Sequence, residues 1–180
     1  MTIVSIDDGY IDNLVEKFPH VYFSKKDCRT HARKYIGVVL TIGKFNYYVP
    51  FSSPKARDYT SDGLVRSDDN FNARMTESDG NGGKKLLGSL RFNNMIPVPM
   101  LYIEGYSIED EEDADYANVV AGEFKWINKN QEYIKTKAQK IYDFKLNEPA
   151  FKNETNQKRY DAVLPFKEIE QYLIDSKMVN

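Results

Sequence analysis

Apolar residues recur at three- and four-residue spacing at Ile11, Leu14, Val15 and Phe18, the pattern of a helix with one buried face. Asp7 or Asp8 can cap its start and Pro19 stops it, which predicts a short helix over 8–18. The pattern then changes. Residues 35–42 and 45–51 are β-branched, aromatic and apolar on both faces, with Gly43-Lys44 between them. They predict a two-stranded hairpin inside a sheet covered on each side. Residues 56–85 are polar and include Ser78-Asp79-Gly80-Asn81-Gly82-Gly83, the most loop-like segment, with a strand inside it left open. Runs over 86–92 and 95–106 predict further strands, and Pro97 and Pro99 confine the second to an edge or bulge.

Beyond an acidic stretch the period becomes helical. Val120, Phe124, Ile127, Ile134, Ala138 and Ile141 form one apolar stripe, interrupted by Gln131, and predict a long helix over 116–145. A second stripe beside it reads Trp126, Asn130, Tyr133, Lys137, Lys140. A last helix over 165–176 buries Phe166, Ile169 and Leu173 and begins with Pro165 in the tolerated first position. With no internal repeat, the order predicts a single α+β domain over 1–180 around a mostly antiparallel sheet.

Hydrophobic content of 41% argues for a folded chain. One cysteine, Cys28, excludes an internal disulfide, and with only His20 and His31 a metal site would need carboxylates. No metal or other cofactor is expected. Residues 1–10 do not read as a signal peptide, and nothing approaches the roughly 20 apolar residues that span a bilayer, so a cytoplasmic protein without membrane association is expected.

Charge sharpens this picture. The formal net charge is only −2, yet residues 17–57 hold nine Lys and Arg and one acid, Asp27, whereas residues 104–115 hold seven acids and no base. Cations neutralise phosphates and rings stack on unpaired bases, so a basic stretch ending in Tyr47-Tyr48-Val49-Pro50-Phe51-Ser52-Ser53-Pro54-Lys55 suits single-stranded nucleic acid. Two prolines brace a turn in which the Ser52 and Ser53 hydroxyls and the Lys55 ammonium can hold a phosphate, although Ser-Ser-Pro-Lys is also an ordinary surface turn. Lys34, preceded by Arg33, starts the first hairpin strand and can converge with Lys55 at the end of the next; Arg57 adds a further cation. Tyr133, with Trp126, Lys137 and Lys140, offers a stacking face on the long helix, against the plainer reading of core packing. His31 is a candidate acid–base group within the basic segment, and the acidic run reads as a solvated face.

These residues resemble the ToxN/AbiQ family of type III toxin–antitoxin endoribonucleases. The likeness lies in Lys34-Tyr35-Ile36-Gly37-Val38-Val39-Leu40, Tyr48-Val49-Pro50-Phe51-Ser52-Ser53-Pro54-Lys55, Leu87-Gly88-Ser89-Leu90, Asn94-Met95-Ile96-Pro97-Val98-Pro99 and Asn130-Gln131-Glu132-Tyr133-Ile134. The resemblance implies a compact, bent antiparallel sheet similar to the Kid/MazF barrel, surrounded by helices. It implies metal-independent, sequence-specific RNA cleavage giving 2′,3′-cyclic phosphate and 5′-hydroxyl ends, with cellular or phage messenger RNA as substrate. It also implies inhibition by a repeated pseudoknot RNA antitoxin in a closed, ring-like assembly, and a role in growth arrest and abortive phage infection. Lys34, Ser52, Ser53 and Lys55 match family active-site positions and Tyr133 an aromatic near them; where the family often has a tyrosine this chain has Thr30, beside His31. A non-catalytic RNA-binding module and a gyrase-inhibiting toxin on a similar fold remain alternatives.

Overall fold

The first helix forms where the spacing predicts it. In α1, Asp8–Lys17, Tyr10, Ile11 and Leu14 are buried, and the Asp7 carboxylate accepts the Tyr10 backbone N–H at 2.8 Å. The computed structural model describes residues 1–21, 33–147 and 154–178. β1 (Thr2–Ile6) precedes α1; β2 (Tyr35–Ile42) and β3 (Phe45–Ser52) form the predicted hairpin, turned by Gly43 at a φ of 57°.

β3 organises the sheet. β2 lies along one side of it; on the other, Tyr47 and Tyr48 pair with β6 (Ile96–Pro97), and Phe51 and Ser52 pair with β5 (Lys84–Arg91). A strand that exchanges neighbours midway bends its sheet. With β4 (Asn72–Ser78) and β7 (Ile103–Gly105), the order is β4-β5-β3-β2-β1-β7, with β6 beside β3 and every pair antiparallel. This is the expected α+β class with a bent antiparallel sheet, open between β4 and β7 rather than closed into a barrel.

The helices are α2 (Ala114–Lys129), α3 (Gln131–Leu146), α4 (Glu154–Asp161) and α5 (Phe166–Asp175). α2 packs on β4 and β5, and α3 on β2. The core also holds a carboxylate, Glu170 of α5, whose Oε1 accepts the Tyr47 and Tyr142 hydroxyls at 2.7 and 2.8 Å and whose Oε2 accepts Lys167 Nζ at 2.8 Å. No helix among the described residues is long and apolar enough to cross a membrane.

Several elements depart from expectation. The single helix over 116–145 is two helices, because Asn130 leaves the helical region (φ −120°, ψ 21°) and its side-chain amide takes the Trp126 carbonyl at 2.7 Å. The strand over 95–106 is two short strands, β6 and β7, separated by a 3-10 turn at Met100–Tyr102. β4 lies inside the polar 56–85 segment. β1 and α4 had no distinct signal, and Pro165 stands one place before the first helical residue of α5.

Candidate active site

Ser52 is the last residue of β3. It pairs with Ser89 on β5, which pairs with Arg74 on β4, so Ser52, Ser89 and Arg74 form a polar row on one face of the sheet. All three are buried. Beyond Ser52 the chain turns outward, and Ser53, Pro54, Lys55 and Arg57 are exposed. The turn is anchored from below: the Asp58 carboxylate accepts the Lys55 backbone N–H at 3.0 Å and pairs with Arg74 Nη2 at 3.2 Å, both side chains being 7% exposed. Arg74 also meets Asp69 Oδ2 at 3.4 Å and donates to the Ser67 carbonyl. The prolines thus brace a turn that a buried ion pair holds in place.

Lys34 meets this turn through its main chain, its carbonyl accepting the Phe51 N–H at 3.0 Å. Its side chain runs inward. Nζ donates to Ser5 Oγ at 3.3 Å and stands 3.7 Å from the Tyr106 ring centroid. Burial lowers the Lys34 pKa, against the pull of Glu111 and Glu104. Desolvation therefore moves it towards the neutral amine. Arg33 Nη1 donates to the Phe51 carbonyl at 2.9 Å, beside Ser52.

The acidic segment is not simply a solvated face. Glu111 is half-buried, and its Oε2 accepts the Tyr106 hydroxyl at 3.1 Å beside Lys34. Asp113 caps α2, accepting the Asp115 and Tyr116 N–H groups at 3.0 Å.

From α2 the buried Glu123 faces β5 at Gly88. A β-carbon on Gly88 would stand 2.2 Å from Glu123 Oε1 and 3.2 Å from the Ser52 carbonyl oxygen, so only glycine lets the carboxyl settle there. Burial pushes the Glu123 pKa up to about 8. Tyr106 and Tyr116 both lie in its field; Tyr116 is raised to about 12, chiefly by burial and then by Glu123 and Glu111, while Arg33 opposes.

The aromatic stripe lies across the Arg74 network. Tyr133 is 39% exposed, its hydroxyl donates to Asp68 Oδ2 at 2.5 Å, and its ring meets Trp126 edge-on at 6.4 Å. Lys137 Nζ donates to the Asp69 carbonyl at 2.6 Å and to the Tyr133 hydroxyl at 3.2 Å. Tyr133, Lys137, exposed Lys140, Phe71 and Arg159 line a cleft of about 540 Å³. Trp126 is half-buried against the core, so the two readings of the stripe divide between its members. His31 lies outside the described residues, among which no three His, Cys, Asp or Glu side chains group to hold a metal ion.

Arg74, Asp58, Tyr106, Glu111 and Glu123 were not picked out from the sequence. Glu123 carried a signal, a carboxylate within the apolar row of Val120 and Ile127; the others are brought together only by the fold.

The family model for the toxin ToxN of type III toxin–antitoxin systems matches residues 2–174. The chain belongs to this family. It is 31% identical over 140 residues to the endoribonuclease ToxN of Bacillus thuringiensis subsp. kurstaki, covering 77% of this chain and 65% of that protein. It is 34% identical over 95 residues to the endoribonuclease AbiQ of Lactococcus lactis subsp. lactis, covering 53% of this chain and 49% of that protein. The matched stretches thus span less than two-thirds of the first relative's length and about half of the second's. In fold, this ToxN-family chain is similar to a solved type III system in which a non-coding RNA pseudoknot selectively inhibits the toxin (TM-score 0.77, 24% identity, 97% of this chain and 96% of that one). It is also similar to AbiQ, a lactococcal anti-phage endoribonuclease (TM-score 0.75, 24% identity, 98% of each chain).

Proposed function

We propose that this protein is a sequence-specific, metal-independent endoribonuclease, the cytoplasmic toxin of a type III toxin–antitoxin system. Its substrate is single-stranded cellular or phage messenger RNA. Its inhibitor is a repeated pseudoknot RNA that occupies the same groove in a closed toxin–RNA ring, and its release causes growth arrest and abortive infection. The observation that carries this reading is the Ser52-Ser53-Pro54-Lys55 turn, held by the Asp58–Arg74 pair beside buried Lys34, in a chain of the ToxN family. The activities named for the ToxN and AbiQ relatives support it.

In RNA the nucleophile is the adjacent 2′-hydroxyl, so the protein must align it, move protons and stabilise charge on the phosphoryl oxygens. Ser52 and Ser53 offer hydroxyl and backbone donors to that phosphate, and exposed Lys55 supplies positive charge at the mouth of the turn. Lys34, desolvated towards its neutral form, takes the 2′-hydroxyl proton. Tyr133, Lys137 and Lys140 hold the neighbouring nucleotides by stacking and charge, and Arg33 and Arg57 add to the positive rim.

Single-stranded RNA incubated with purified protein in excess EDTA, followed by mapping of the new ends, tests this. Cuts leaving 2′,3′-cyclic phosphate and 5′-hydroxyl, slowed roughly 10²–10³-fold in Lys55→Ala, are expected. RNA bound but uncut by folded, RNA-free protein would reduce the activity to binding.

A further inference from the structure

The described residues include three buried carboxylates, and two have evident structural work. Asp58 is paired with Arg74 and accepts the Lys55 N–H; Glu170 is met by Tyr47, Tyr142 and Lys167. Glu123 is 6% exposed and, among the described residues, has no hydrogen-bond or ion-pair partner. A carboxyl in an apolar setting without donors is costly to keep as a carboxylate and retains its proton instead. Its place is equally specific. Oε1 occupies the space left by the absent side chain of Gly88, beside the Ser52 carbonyl, at the point where β3 passes into the phosphate-holding turn. Arg33 holds the preceding carbonyl, of Phe51, at 2.9 Å.

We infer that Glu123 is the proton donor to the leaving 5′-oxygen, a role that rests on the ribonuclease reading above. The 2′-oxygen gives its proton to the Lys34 amine and bonds to phosphorus. The P–O5′ bond breaks, its electron pair stays on oxygen, and that oxygen takes the Glu123 proton. Glu123 is left as carboxylate and Lys34 as ammonium, and solvent returns one proton and removes the other between turnovers. Lys55 supplies charge stabilisation beside it.

The groups around Glu123 agree with a donor that is protonated at neutral pH. β5 presents Gly88 and β4 presents Met75, neither of which titrates. Tyr116 of α2 and Tyr106 lie in its field as neutral phenols, with Glu111 and Arg33 of opposite sign beyond them. Glu77, near Gly122 on the same helix, is paired with Lys85 at 3.2 Å. Burial holds the Glu123 pKa near 8, a value suited to acid catalysis at cellular pH.

The test compares wild type with Glu123→Gln in single-turnover cleavage of an RNA whose cut site has been mapped with the wild type. One substrate carries the natural oxygen at the scissile position; the other carries a 5′-bridging sulfur, which leaves as a thiolate and needs no proton. On the oxygen substrate the wild-type rate is expected to fall roughly tenfold per pH unit above pH 8, and the variant to lose roughly 10²–10⁴-fold. On the sulfur substrate the variant should match the wild type and the alkaline limb should vanish. Equal losses on both substrates, or full activity of Glu123→Gln on the oxygen substrate, would overturn the assignment. Should the variant fail to fold, an alkaline limb persisting in the wild type on the sulfur substrate would overturn it. A wild type that yields no cut site to map brings down the ribonuclease reading itself, a different failure.

Discussion

Two carboxylates on the same molecule, Glu123 beneath the Ser-Ser-Pro-Lys turn and Asp69 beneath the Tyr133 cleft, meet opposite fates. Burial raises the pKa of both. At Asp69, hydrogen bonds from the Asn72 side chain and from the Phe71 and Asn72 backbone, with Arg74 nearby, outweigh burial and hold the carboxyl below its usual range. At Glu123 no donor among the described residues answers, and burial raises the carboxyl pKa to about 8. The same contrast separates the two regions. The cleft is built of hydrogen-bonded groups on a partly exposed surface, suited to holding RNA, although burial lowers the Lys137 pKa there as it lowers that of Lys34. The turn and its inner wall are built of desolvated groups, Lys34 lowered and Glu123 raised, each moved by burial towards its neutral form.

Removing the titrating group should erase the contrast and give the largest effect. With a folded-state pKa near 8 and an ordinary unfolded value, the native state binds more protons than the unfolded chain between about pH 4.5 and about pH 8. Wild-type stability should therefore decline as pH rises through that window and level off above it. The decline attributable to Glu123 is on the order of 5 kcal/mol. Denaturant melts of Glu123→Gln should lack it, so the variant gains on the wild type as pH rises.

Breaking the support of the turn comes next. Asp58→Ala leaves buried Arg74 with only the more exposed Asp69 as ion-pair partner and should cost roughly 3 kcal/mol in denaturant unfolding. Lys34→Met, which keeps the packing under Tyr106 while removing the amine, should slow single-turnover cleavage roughly 10²–10³-fold with little change in stability. The smallest effect belongs to the cleft: Tyr133→Ala should weaken RNA binding by roughly 1–3 kcal/mol, measured by equilibrium titration.

How far these features were legible in the sequence depended on the range of the interactions behind them. α1, the β2–β3 hairpin and α5 follow from local periodicity and turn chemistry, which ten residues suffice to express. β1, β4 and β7 are strands because of their neighbours: β7 is three residues long and exists through its pairing with β1, and β4 sits in a polar segment where β5 recruits it. The break at Asn130 was hidden because apolar spacing continues on either side of it. Within the site, Lys34 and the turn stood out through charge and proline spacing. The Arg74–Asp58 and Tyr106–Glu111 contacts join residues 16 and 5 apart whose side chains look like ordinary surface polarity until the fold buries them.

The division of labour between the two regions is tested most directly by measuring RNA affinity and single-turnover cleavage rate at saturating protein for Lys34→Met and Tyr133→Ala side by side. Lys34→Met is predicted to bind RNA nearly as the wild type does and to cleave it slowly, whereas Tyr133→Ala binds weakly yet cleaves at nearly the wild-type rate once saturated. A Lys34→Met protein that cleaves normally when saturated, or a Tyr133→Ala protein that binds normally and cannot cleave, would contradict the account.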